Sequence, residues 1–143
     1  RREHDLDVVD LSRIGATASM AAFLAENASL GEGLVLVEIG GNDLFGHADA
    51  QEFATGLDRL LECVSGEGRK VVMFELPRPP MFGEFGRVQR RAARKHGVTL
   101  IPKRVLMGIL SGDGATSDTI HLTQQGQRAM ADAVWRIVGN GLD

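Results

Sequence analysis

Asp118 and His121 stand three residues apart in Asp118-Thr119-Ile120-His121, just before the last helical pattern of the chain. At that spacing a carboxylate can accept a hydrogen bond from one imidazole nitrogen while the other faces a cleft. This fixes the tautomer and stabilises the imidazolium that a general base becomes. A surface loop with a capping aspartate would use the same residues. Zinc ligation is a weaker alternative, because no second histidine or cysteine lies at ligand spacing. A second segment, Gly40-Gly41-Asn42-Asp43, follows an apolar run. Its glycines permit a tight backbone path, and the Asn42 amide at the end of a strand can donate to a developing oxyanion. A Gly-Asn turn without chemistry is the plain alternative. Gly15 is either a loop glycine or, through its backbone N–H, a second oxyanion donor. Such a set calls for a hydroxyl nucleophile and no cofactor.

The elements that must position these residues follow from alternating apolar runs and helical patterns, the signature of a parallel sheet covered by helices. Residues 7–11 are expected to form the first strand, followed after Gly15 by a helix over 17–27 with Met20, Phe23 and Leu24 on one face. Residues 34–39, almost entirely apolar, read as a strand buried on both faces. Phe53, Leu57, Leu60, Leu61 and Val64 recur at helical spacing within 48–64, which ends near Gly66 and Gly68. Residues 71–76 give a third strand, stopped by Pro77, Pro79 and Pro80, and residues 85–96 a basic helix closed by Gly97. A fourth strand over 98–101, a short helical turn over 107–110 and a final helix over 124–138, with Met130, Val134, Ile137 and Val138 inward, complete the chain. Four strands joined by right-handed crossovers make an α/β, three-layer, doubly wound parallel sheet of flavodoxin-like order. Ligands of such sheets collect at the carboxyl ends of the strands.

The 143 residues, 43% apolar and 24% charged, suit one domain with a real core. A net charge of -3 with interspersed signs provides no basic stripe for nucleic acid. Arg87, Arg90, Arg91, Arg94 and Lys95 cluster at helical spacing and read as a solvated helix face. The one cysteine, Cys63, excludes an internal disulfide and reads as a buried small apolar residue. No apolar stretch approaches the roughly 20 residues that cross a bilayer, and no signal peptide opens the chain.

The combination, in this order on this architecture, resembles the SGNH hydrolase superfamily, or GDSL esterases and lipases, and above all its small lysophospholipase, thioesterase and arylesterase-like members. Gly15 within Ser12-Arg13-Ile14-Gly15-Ala16-Thr17 is similar to the second family motif, Asn42 within Leu36-Val37-Glu38-Ile39-Gly40-Gly41-Asn42-Asp43 to the third, and Asp118 with His121 to the last. Many relatives place proline after the histidine, where this chain has Leu122. The resemblance implies a serine esterase acting on a small-molecule carboxylic ester or thioester through an acyl-enzyme. His121 would be the base, Asp118 its orienter, and Asn42 and Gly15 the oxyanion hole. Gly41, Met81 and Phe82 would border the substrate, although residues 77–85 read equally as a connecting loop. A periplasmic or secreted setting fits the family better than others.

The family's Gly-Asp-Ser motif is the departure. None of Ser12, Ser19, Ser29, Ser65, Ser111 or Ser117 follows a buried strand in that motif or in a Gly-x-Ser-x-Gly elbow. The resemblance puts the serine on a strand between residues 8–11 and 34–39, so the expectation is a single SGNH-like domain over 1–143, incomplete at its N-terminus. An upstream segment of about 25–30 residues, covalent or held as a separate peptide, would supply strand and serine. Without it the chain should be inactive. Direct pairing of residues 8–11 with 34–39 would rule that segment out. The rival expectation is a degenerate hydrolase fold that binds a partner and has no catalytic role.

Overall fold

Among the described residues three short runs form the sheet: β1 (Gly33–Val37), β2 (Arg69–Phe74) and β3 (Thr99–Ile101). The computed structural model describes residues 7–46, 48–77, 83–117 and 121–139. The strands pair in parallel in the order β1-β2-β3, with Val35 beside Val71 and Met73 beside Leu100. Parallel neighbours need crossovers, and helices provide them. α1 (Ala18–Glu26) precedes β1; α2 (Gly41–Phe45) and α3 (Ala50–Val64) link β1 to β2; α4 (Gly83–His96) precedes β3; α5 (Lys103–Leu110) and α6 (Gln124–Val138) follow it.

Alternation along β2 divides the core in two. Val71 and Met73 point to one face with Val37, where α1, α3 and α4 lie over them. Val72 and Phe74 point to the other with Ile101, against Leu106 of α5 and Val138 of α6. The expected stripe of α3 is the centre of the first layer: Phe53, Leu57, Leu60, Leu61 and Val64 are all buried. α3 also carries a full capping box, since Asp49 accepts from the Gln51 and Glu52 amides while Glu52 reaches back to the Asp49 amide. Cys63 is half-buried against this layer.

Several expectations are corrected. Residues 7–13 form no strand; Val8 and Val9 are 50% and 70% exposed, and no strand lies beside them among the described residues. Without a partner for its N–H and C=O groups an apolar run has no reason to be a strand. Residues 8–11 therefore do not pair with β1, whose only neighbour among the described residues is β2. α1 buries Ala18, Ala22 and Ala25, while Met20 and Phe23 face outward. The reason is a close approach at Gly56 of α3. A Cβ there would lie 2.6 Å from Ser19 Oγ and 2.7 Å from the Ser19 amide nitrogen, so only a small-residue face can dock. In α6, Ile137 is 42% exposed, not inward. α5 is a full eight residues, and α2 was not expected at all. β1 ends at Val37, two residues early, because Gly40 at φ 109° turns the chain into α2.

Candidate active site

The site begins where β1 leaves the sheet. At Gly40 a side chain would strike Leu76 Cδ1 at 2.8 Å and Phe53 Cε2 at 2.9 Å, and the backbone is left-handed. Glycine alone meets both demands. Gly41 opens α2 with free space beside its Cα, and Asn42 and Asp43 follow within the first turn.

These two side chains reach across to the segment entering α1. Asn42 Nδ2 donates to the Ala16 carbonyl at 3.0 Å. The buried Asp43 carboxylate accepts from the Ala18 amide at 3.0 and 3.2 Å. Thr17 caps α1 by accepting from Met20. Gly15, exposed and left-handed at φ 76°, lies one residue from the carbonyl that Asn42 holds. Two of the residues singled out from the sequence, 27 positions apart, are thus brought into one corner. Burial pushes the Asp43 carboxyl above its ordinary range, and the Ala18 N–H partly offsets that.

His121 occupies the loop leading to α6. Thr116 and Leu122 form an antiparallel bridge, and the Ser117 amide donates to the His121 carbonyl at 2.9 Å, so the histidine backbone is held against Ser117. Thr123 then caps α6 through Gly126 and donates its hydroxyl to Gly114 at 2.6 Å. Asp118 lies outside the described residues, as do Met81 and Phe82.

A buried polar clamp that sequence reasoning missed holds the exit of β2. Gln89 of α4, fully buried, donates to the Phe74 carbonyl at 3.1 Å and accepts from the Leu76 amide at 2.9 Å. Its side-chain amide thereby acts as one more rung of strand. Next to it the buried Glu75 carboxylate pairs with Arg90 and accepts from the Lys103 amide at 3.1 Å, at the start of α5. The only sequence signal was a glutamine inside an otherwise basic helix.

Residues 1–129 match the GDSL-like lipase/acylhydrolase family. The chain belongs to that family. Esterase TesA of Pseudomonas aeruginosa is 30% identical over 148 residues, covering 92% of this chain and 69% of that protein. Among solved structures, the psychrotrophic esterase EstA of Pseudoalteromonas superposes with a TM-score of 0.73 at 19% identity, over 90% of this chain and 74% of EstA. AlinE4, an SGNH-hydrolase family esterase, superposes with a TM-score of 0.60 at 22% identity, over 90% of this chain and 73% of AlinE4. The fold is therefore that of the SGNH hydrolases, and the family is one of carboxylic ester hydrolases. Among the described residues no cluster of side chains could hold a metal ion, and no helix is long and apolar enough to cross a membrane.

Proposed function

We propose that this chain is the larger part of a serine esterase that cleaves a carboxylic ester or thioester through an acyl-enzyme. A serine upstream of Arg1 is the nucleophile. It passes its proton to His121, whose imidazolium Asp118 orients, and its oxygen adds to the substrate carbonyl. The oxyanion takes hydrogen bonds from the Asn42 side chain and the Gly15 backbone N–H. Collapse expels the alcohol or thiol, which recovers the proton from His121, and water repeats the sequence to release the acid. Gly41, with open space beside it, borders the acyl group together with Met81 and Phe82.

The observation that carries this reading is the Asn42–Ala16 hydrogen bond. A primary amide has two N–H bonds. With one spent on a backbone carbonyl, the group is held in a single orientation and its second N–H is ready for charge that develops beside the Gly15 segment. Preorganised donors of this kind are worth more than mobile ones because nothing reorganises during the reaction. The degenerate binding module has no comparable use for an amide oriented in this way.

The test uses the protein with its natural N-terminal residues. A fluorophosphonate probe should label one serine in a Gly-Asp-Ser context. Asn42→Ala should cut ester turnover by roughly 10²–10³ with little change in KM. Full turnover in Asn42→Ala would overturn the oxyanion assignment, and absence of a labelled serine would overturn the acyl-enzyme.

A further inference from the structure

Between the N-terminal half of α3 and the outer face of α4 runs a cavity of about 690 Å³, lined by four arginines, Arg87, Arg90, Arg91 and Arg94, over a floor that includes Ala54 and Val88. From the sequence these arginines read as a solvated face. The structure makes them one wall of a groove. Arg87, Arg91 and Arg94 follow one another at i, i+4 and i+7, so they form a single stripe along α4.

Two carboxylates also line the groove, but both are engaged. Asp49 accepts from the Gln51 and Glu52 amides, and Glu84 pairs with Arg87 at 3.5 Å. Arg90 is turned to Glu75. Among the described residues Arg91 and Arg94 have no ion-pair partner. In a chain of net charge -3 the groove is a local positive concentration. Guanidinium groups are planar, always charged and matched to the paired oxygens of phosphate. Their convergence in a concave site lets one tetrahedral anion meet two forks at once.

We propose that this groove binds a phosphate-class anion, held by Arg91 and Arg94 with Arg87 at the outer end. It shares no lining residue with the Asn42 and Gly15 corner and does not depend on the esterase reading. The anion is either free phosphate or the headgroup of an anionic lipid.

The experiment titrates the whole chain calorimetrically with inorganic phosphate at constant ionic strength, and in parallel sediments it with phosphatidylglycerol or phosphatidylcholine vesicles. Saturable phosphate binding, at least tenfold weaker in Arg91→Ala/Arg94→Ala, assigns the groove to free phosphate. Sedimentation with phosphatidylglycerol but not phosphatidylcholine, lost in the same double variant and without phosphate binding, assigns it to the headgroup. Arg128→Ala/Arg136→Ala removes the same charge from exposed positions on α6, across the sheet, and should leave either signal intact. All three proteins should melt alike in chloride. Binding of neither probe, or equal loss in the two double variants, overturns the proposal.

Discussion

At the scale of single residues, the neighbours Asn42 and Asp43 do different work although both reach the α1 entry. Asn42 is exposed and ends on a carbonyl; Asp43 is buried and ends on an amide. Only the second is tied to stability. Ala18 is fully buried, so Asp43→Ala leaves its N–H without a partner and should cost roughly 1–3 kcal/mol, several degrees in Tm. Asp43→Asn keeps an acceptor and should recover much of that. Because burial raises the Asp43 pKa above 3.8, the native state holds this proton more tightly than the unfolded chain. Its contribution is therefore greatest at low pH and declines as pH rises through the native value. Thermal melts of the two variants against pH would check both points; an Asp43→Ala protein as stable as wild type would refute the amide role.

At the scale of elements, the sequence was most readable where a stripe of large apolar residues met a thick core. The α3 stripe and both bounds of α6 were legible for that reason. α1 was not, since its docking face is alanine and its large residues point out, an arrangement that depends on Gly56 in another helix. Residues 7–11 carried a strand-like pattern, but a strand is made by its neighbour as much as by its own residues. For the site, Asn42 and Gly15 could be singled out from residue type and position, and the structure brings them into one corner, whereas Gln89 and Glu75 could not, because their roles exist only once β2, α4 and α5 converge. The Gly56 contact permits a sharp test. Replacing a mid-helix glycine by alanine ordinarily gains about 1 kcal/mol, but here the new Cβ meets a backbone nitrogen at 2.7 Å, which cannot yield as a side chain can. Overpacking of about 1–3 kcal/mol should win, so Gly56→Ala should lower the midpoint of urea unfolding. A raised midpoint would mean that α1 can slide away freely.

At the scale of the whole molecule, the α1–α3–α4 layer is fastened by charge at its rim. Arg59 of α3 meets Glu26 of α1 at 2.8 Å, and Asp58 of α3 meets Lys95 and His96 of α4, each at 2.7 Å. The hydrogen bond from Lys95, then that from His96, holds the Asp58 carboxyl below 3.8. A carboxylate with a lowered native pKa stabilises above its unfolded value and loses that contribution as pH falls through the native one. Asp58→Asn should thus melt lower than wild type at pH 6, with the gap closing below pH 3.8. Since these groups are partly exposed, the gap should stay within roughly 0.2–1 kcal/mol and shrink in high salt. A gap constant down to pH 2 would assign the effect to packing.

The glutamine rung at the end of β2 has a consequence for the timing of local opening. Strand ends ordinarily fray, and their amides trade hydrogen for deuterium long before the centre of the sheet does. Here the Leu76 amide lies two residues beyond the last residue of β2 but is bonded to a side chain with no exposed surface. Its exchange requires α4 to leave the sheet. In deuterium exchange Leu76 should therefore be as slow as Val72, and Gln89→Ala should release it by orders of magnitude while sparing Val72. How far the slow-exchanging amides run past the end of β2 is thus set by a residue thirteen positions away.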